Sequence, residues 1–125
     1  YPDIYISNDF FERDYLYINQ KNGKFSEELE KRIPHTSLAS MGADMGDINN
    51  DGNQEIFVTD MLPLSEKRLK TTTSFDNNYT YKLKYEKGFY NQYQQNSLQL
   101  NNNDGYFKEI ANYANVSASD WSWGA

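Results

Sequence analysis

An internal repeat constrains what this chain can fold into more than any other feature of its sequence. Residues 16–27 align without a gap with residues 98–109, a spacing of 82 residues. The same spacing aligns residues 40–43 with residues 122–125, and both segments end in Gly-Ala. Because two separate segments repeat at one spacing, we infer that the chain is built from copies of one structural unit.

A third alignment shows where the two copies differ in length. Residues 3–8 match residues 55–60 at a spacing of 52, which is 30 residues shorter than the other spacing. The second copy therefore carries an insertion, which we place at about residues 62–93. Without this insertion the unit has about 50 residues, which is in the range of β-propeller blades.

Short runs rich in aromatic and β-branched residues, bounded by Asn and Gly, predict β-strands. The predicted strands are residues 3–7, 16–19, 24–28, 40–47, 55–60, 97–100 and 107–110. Four short strands per unit, joined by tight turns, are typical of a propeller blade. The predicted fold class is therefore all-β, with β-propeller blades of four antiparallel strands and one inserted loop. A β-sandwich is the alternative, but its strands do not normally repeat at a fixed spacing.

The repeat also predicts how the chain is divided. Residues 1–39 would be the last three strands of a preceding blade plus a linker, 40–115 a complete blade, and 116–125 the first strand of the next. Each blade buries its faces against its neighbours, so about two repeats leave outer sheets exposed. We therefore expect a segment of a larger propeller, packed against neighbouring blades of the same chain or against a partner subunit.

One loop of the predicted blade concentrates oxygen ligands. Residues 47–55 read D-x-N-x-D-G-x-x-E, and the glycine permits a sharp turn. The candidate ligands are Asp47, Asn49, Asp51, the backbone carbonyl of Asn53, and Glu55. Several hard oxygen ligands without nitrogen or sulfur favour Ca²⁺ over zinc or copper. The alternative is a hydrogen-bonded Asx turn without metal.

The loop begins like an EF-hand loop but departs from it. An EF-hand requires a glutamate at its twelfth position, where this chain has Val58, and its loop lies between helices rather than strands.

Taken together, Gly42-Ala43-Asp44, the loop at 47–52 and the strand at 55–60 resemble an FG-GAP/VCBS repeat, the calcium-loop blade of integrin-α-type β-propellers. Residues 59–63, 98–107 and 120–125 resemble the bacterial ASPIC/UnbV-associated branch of that family. The resemblance implies a propeller with Ca²⁺ in the turn between the first and second strands of a blade.

The resemblance also implies which residues hold the ion. Asp47, Asn49, Asp51, Asn53 and Glu55 match the ligand positions of the family, and Asp3 matches the last ligand position of the preceding loop. Asn49 and Glu55 depart from the aspartate that is common at their positions, but both remain oxygen donors. Members of the family are typically secreted or displayed on bacterial surfaces, which implies an extracellular location, and many serve in adhesion or ligand binding.

Composition excludes several classes of function. The 125 residues carry a net charge of −6, which argues against a nucleic-acid partner. Cysteine is absent and His35 is the one histidine, so thiolate sites, disulfides and histidine-rich metal sites are excluded. The apolar runs are too short for a transmembrane segment.

The insertion differs from the rest of the chain in charge. Residues 64–87 contain six basic and three acidic residues, and aromatic residues are frequent there. The candidates for ligand recognition are Tyr79, Tyr81, Tyr85 and Tyr90. The alternative is a lid whose aromatic side chains are buried. The sequence also predicts a short helix at residues 65–71, and alternation around residues 81–85 indicates an extra strand.

These observations predict a non-enzymatic, calcium-binding β-propeller segment of a secreted or cell-surface protein that binds a protein or glycan ligand, as in adhesion. One alternative is a scaffold part of a polysaccharide-degrading enzyme, although the clustered acids are better explained by the loop than by glycoside hydrolysis. Another is a structural subunit of a bacterial outer-membrane surface complex.

Overall fold

The computed structural model describes residues 1–9 and 12–125. Residues 10 and 11 of the predicted 1–39 unit therefore lie outside the described part. The strands are β1 (Ile4–Ile6), β2 (Tyr15–Asn19), β3 (Phe25–Glu27), β4 (Thr36–Ser37), β5 (Gly42–Gly46), β6 (Glu55–Thr59), β7 (Gln92–Tyr93), β8 (Ser97–Asn101) and β9 (Phe107–Glu109). The helices are α1 (Leu29–Arg32), α2 (Glu66–Thr72) and α3 (Asn78–Glu86). No helix in the described ranges is both long and apolar enough to cross a membrane.

Two antiparallel sheets dominate the structure, consistent with the predicted all-β class. The first has three strands in the order β1-β2-β3, and the second has four in the order β5-β6-β8-β9. Each is a meander in which sequential strands pair, interrupted in the second sheet by the insertion between β6 and β8. The strands lie within one or two residues of the predicted ones.

The strand pairing follows the sequence repeat residue by residue. Ile4 pairs with Tyr17 in the first sheet, and Ile56 pairs with Gln99 in the second, so the partners differ by the two spacings of the alignment. On the other side of the hairpin, Asn19 pairs with Phe25 and Asn101 with Phe107. A slip of one residue would turn every side chain to the opposite face. The identical register therefore means that the two sheets present equivalent faces.

The buried core joins the two sheets. Its five buried members come from β2, from α1 and the residue that follows it, and from β6: Leu16, Leu29, Ile33, Ile56 and Val58. A polar contact adds to this packing, because Arg32 Nη1 donates to the carbonyl oxygen of Gly105 at 2.7 Å. The sheets thus pack together as neighbours rather than forming separate units.

The insertion forms two helices rather than the one helix and one strand that the sequence predicts. The predicted helix at 65–71 is confirmed as α2, but the predicted strand around residues 81–85 is wrong because this segment lies inside α3. The side chain of Asn77 caps α3 by accepting from the Thr80 N–H at 2.9 Å, and this cap starts a helix that local alternation did not reveal. The end of the insertion returns as β7, which pairs in parallel with β4.

The insertion helices bury none of their residues. Tyr79 is 76% exposed, Tyr85 is 52% exposed, and Phe75 between the helices is 57% exposed. The alternative of a lid with buried aromatic side chains is therefore wrong for these residues.

The last residues of the chain lie beside the first strand of the second sheet. Residues 116–125, predicted to hold the first strand of a further blade, form no strand here, because none of these residues enters a strand pair. One of these residues, Gly124, nevertheless lies against Gly42, its equivalent in the repeat. A methyl group on Gly42 would meet the Cα of Gly124 at 3.0 Å, so the two equivalent glycines are in close contact.

Asp14 and Asn96 are equivalent buried residues that hold the chain just before β2 and β8. Asp14 Oδ1 accepts from the Asn8 N–H at 2.8 Å, and Asn96 Oδ1 accepts from the Asp60 N–H at 2.7 Å. Asn8 and Asp60 are themselves equivalent in the repeat. In the first copy the acid Asp14 accepts from the backbone of an asparagine, Asn8. In the second copy the asparagine Asn96 accepts from the backbone of an acid, Asp60, so the two residue types are exchanged.

Asp14 carries its carboxyl group in a buried position. The hydroxyl groups of Tyr5 and Ser40 both donate to it, so it links β1 to the segment that precedes β5. Burial raises the pKa of Asp14 from 3.8 to about 6, against the opposing effect of these hydrogen bonds, and the nearby charge of Asp60 adds to the rise. Burial also raises the pKa of Asp60.

We predict that Asp14→Asn removes a pH-dependent loss of stability. The pKa of Asp14 is about 6 in the folded state and 3.8 in the unfolded state. Its contribution to the stability of the fold is therefore fully present when the pH is below 3.8. That stabilisation is lost as pH rises through the folded pKa, with a loss on the order of 2–3 kcal/mol. Urea denaturation at several pH values would therefore show a wild-type decline between pH 4 and 7 that is smaller in the variant.

Asp104→Asn, in an exposed turn, is the control and is expected to follow the wild-type pH curve. An unchanged decline in Asp14→Asn would contradict the assignment of this loss to Asp14.

Gly52, in the turn between β5 and β6, gives a second prediction. Its φ of +85° lies in the left-handed region, and a Cβ there would meet no other atom within 4 Å. We expect Gly52→Ala to lower the free energy of unfolding by about 1–2 kcal/mol through backbone strain alone. Gly46→Ala is the matched control because Gly46 also has open space but no positive φ. Equal stabilities of the two variants in urea denaturation would refute this strain.

Candidate functional site

The loop at residues 47–55 connects two paired strands at one end of the second sheet. Its first residue follows β5, and its last residue, Glu55, begins β6 and pairs with Gly46. The loop is largely exposed, whereas Glu55 is only 1% exposed. The sheet therefore fixes both ends of the loop while the residues between them face solvent.

Asp47 organises the turn by accepting from two backbone groups. Its Oδ1 accepts from the Asp51 N–H at 3.0 Å, and its Oδ2 accepts from the Gly52 N–H at 2.9 Å. Asn49 Oδ1 accepts from the same Asp51 N–H at 2.9 Å. Because one N–H serves both oxygens, the side chains of Asp47 and Asn49 converge inside the loop.

Asp51 joins this group from the other side. Asn49 Nδ2 donates to Asp51 Oδ2 at 3.0 Å, and the backbone N–H of Asn53 donates to Asp51 Oδ1 at 2.8 Å. The hydrogen bonds from Asn53 and Asn49 hold the pKa of Asp51 below its usual value. Asp51 is therefore ionised over the physiological range, as a cation ligand must be.

Glu55 lies next to the loop but turns towards the sheet. Its Oε2 accepts from the Ile48 N–H at 3.0 Å, and its Oε1 accepts from the Asn101 N–H at 3.4 Å. Asp3 occupies the equivalent position in the first sheet, where its Oδ1 accepts from the Asn19 N–H at 2.8 Å. This acid thus ties β1 to β2 in the first sheet and β6 to β8 in the second.

The structure brings together four of the predicted ligand residues, namely Asp47, Asn49, Asp51 and Asn53. Across residues 1–9 and 12–125, no three acidic, histidine or cysteine side chains form a group that could hold a metal ion. A cation in the loop would therefore depend on two carboxylates together with amide and backbone oxygens. This all-oxygen set fits a hard cation such as Ca²⁺, which accepts carboxylate, amide and carbonyl ligands.

The four tyrosines predicted to recognise a ligand occupy different surroundings. Tyr79 and Tyr85 are exposed on α3. Tyr81 is half-buried, and its ring lies nearly parallel to that of Tyr93, with centroids 6.1 Å apart. Tyr90 packs against the core, and its hydroxyl donates to the Ile33 carbonyl at 2.9 Å. The structure therefore does not bring the four together as one surface.

The sequence did not reveal the buried carboxylates Asp14 and Asp60. Asp60 Oδ2 accepts from the Ser37 hydroxyl and from the Leu38 and Ala39 N–H groups, so it fixes the linker before β5. Comparing the two copies could have identified both acids, because each aligns with an asparagine in the other copy.

The sequence also did not predict the strand formed by Gln92 and Tyr93. They belong to β7, whose two residues are too few to leave a periodic pattern.

Part of the chain matches a known protein family. Residues 1–58 match the family model described as an FG-GAP-like repeat. The matched segment covers the first sheet, the linker, β5, the whole loop at 47–55 and most of β6. No curated protein and no solved structure shows significant similarity to the chain. The match supports kinship with the FG-GAP/VCBS family, whose repeat suggests a β-propeller-type segment.

Proposed function

We propose that this chain is a calcium-binding segment of a β-propeller that belongs to a secreted or cell-surface protein and binds a protein or glycan partner. It would act without catalysing a reaction. The observation that carries the proposal is the convergence of Asp47, Asn49 and Asp51 in the loop that enters β6.

The oxygen geometry of the loop supports calcium. Asp47 and Asp51 place two carboxylates in one turn of exposed backbone, and both accept only from neutral N–H groups. The hydrogen bonds leave the two negative charges uncompensated by a basic side chain. A bound Ca²⁺ would neutralise them and hold β5 and β6 in register.

The residues of the loop have separate roles in this proposal. Asp47, Asn49 and Asp51 would supply side-chain oxygens, and Asn53 would supply its backbone carbonyl. Glu55 keeps the end of the loop attached to β6 and β8. Asp3 would have the same role as Glu55, at the end of a preceding loop.

The proposed location follows from calcium affinity. Extracellular modules bind Ca²⁺ with dissociation constants of roughly 10⁻⁴–10⁻³ M, which is suited to the calcium levels outside cells. Resting cytosol would leave such a site empty. The resemblance of residues 59–63, 98–107 and 120–125 to the bacterial ASPIC/UnbV-associated branch supports the same location, because members of the family are typically secreted or displayed on bacterial surfaces.

The insertion supports a binding role. Its helices α2 and α3 bury no residues, and they carry the exposed aromatic side chains of Tyr79 and Tyr85. A segment of this kind adds little to the core, so its aromatic surface is better explained by contact with a partner. We favour this over an enzyme scaffold, because the acids of the loop already have a role in the turn.

The calcium site can be tested by thermal unfolding of the full chain. Ca²⁺ at ten to one hundred times the dissociation constant should stabilise the wild type by about 1.4–2.7 kcal/mol. Asp47→Ala and Asp51→Ala should each abolish the resulting rise in Tm, because each removes a carboxylate from the loop. Equal concentrations of Mg²⁺ control for ionic strength.

Asp104→Ala is the matched control variant. Asp104 also accepts from the N–H two residues ahead, at 2.9 Å, in the exposed turn between β8 and β9. It should lose some stability yet keep the full calcium response. A calcium response that survives in both loop variants, or that is missing in the wild type, would exclude this site.

A further inference from the structure

The geometry points to a neutral saccharide as the ligand of a groove between the insertion and the linker before β5. This inference rests on the proposed binding function and names the ligand class. The groove has a volume of about 330 Å³, near the lower end of small-ligand sites. Six of its lining residues carry the argument: Phe75, Asp76, Tyr81, Gln92, Tyr93 and Gln94.

Aromatic rings form one part of the groove. Tyr81 and Tyr93 lie nearly parallel, at 14° between their planes, and Tyr93 is held edge-on by His35 with ring centroids 4.9 Å apart. Tyr93 remains 45% exposed and Phe75 57% exposed. Pyranose rings present a face of C–H groups that packs against such aromatic surfaces, while their hydroxyl groups point outward to polar neighbours.

A buried amide in the lining has an acceptor without a partner. Gln92 is only 6% exposed, and its Nε2 donates to the carbonyl oxygen of Glu12 at 3.0 Å. This bond fixes the amide orientation, because a flipped amide would set two acceptors against each other. Gln92 Oε1 is therefore an acceptor, and it is buried without a partner, as is Gln94 Oε1. Buried acceptors without partners are rare in folded proteins and call for an explanation.

The charges of the lining favour a neutral ligand. Asp76 already pairs with Lys84, whose Nζ lies 2.6 Å from Asp76 Oδ2. In the described part of the chain the lining contains neither Lys nor Arg, so an anionic ligand would find no cation to pair with. The lining instead combines aromatic faces with the amide residues Gln92 and Gln94, and a neutral ligand that carries hydroxyl groups suits both.

The groove also has a fixed position relative to the sheets. Gln92 and Tyr93 form β7, which pairs with Thr36 and Ser37 of β4. Phe75 and Tyr81 come from the middle of the insertion, whereas Leu38, which also lines the groove, comes from the linker. A ligand would therefore bridge the insertion and the linker that leads into the blade.

Saturation-transfer NMR with the full chain tests the proposal, using maltose, cellobiose and lactose at millimolar concentration in calcium-containing buffer. We expect transfer to the ring C–H protons of at least one disaccharide. Phe75→Ala and Tyr93→Ala should each weaken its binding roughly tenfold or more in titration calorimetry. Tyr113→Ala is the matched control, because this residue is 92% exposed and lies outside both the insertion and the groove.

Two results would overturn the proposal. One is a lack of transfer to all three disaccharides, and the other is binding that Phe75→Ala and Tyr93→Ala leave unchanged. Glucuronic acid serves as a charged comparison, and tighter binding of it than of glucose would exclude a neutral ligand. The calcium-dependent Tm of the same samples reports on the loop separately, so the saccharide assignment and the calcium site can fail independently.

Discussion

The packing of two equivalent sheets against each other is the interaction on which the rest of this structure depends. Leu16 from the first sheet and Ile56 and Val58 from the second belong to one buried cluster, and no larger core exists in the described ranges. Each sheet alone is a three- or four-stranded meander whose apolar face needs a partner. The identical register of the two meanders makes the second sheet a suitable partner for the first, as in propellers, where one blade covers the next.

Polar groups set the positions of the segments that connect these sheets. Asp14 and Asp60 are buried carboxylates that accept from linker and strand-end donors, while Asn96 takes the position of Asp14 in the second copy. Burying carboxylates is costly, and the raised pKa of Asp14 reports that cost. The two carboxylates are needed here because they accept from backbone N–H groups at strand ends and in the linker. These groups have no partner strand to accept their hydrogen bonds.

Much of the fold could be predicted from the sequence because the repeat supplied both strand positions and register. The paired segments at 16–27 and 98–109 predicted two hairpins, and the spacing of 52 residues identified β1 and β6 as equivalent strands of the two copies. The insertion was harder to predict, since it has no second copy. Alternation around Lys82 and Lys84 indicated a strand, but the cap at Asn77 favours a helix. The candidate ligands of the loop could be predicted from their spacing, whereas the inward turn of Glu55 depended on the neighbouring strand.

The parallel pairing of β7 with β4 separates the attachment of the insertion from its exposed part. Two residues on each side anchor the returning chain, and α2 and α3 extend beyond them without burying a side chain. Mutations on those helices would therefore change the outer surface with little effect on the sheets. Related chains could exchange this whole segment and acquire a different exposed surface while keeping the same two sheets.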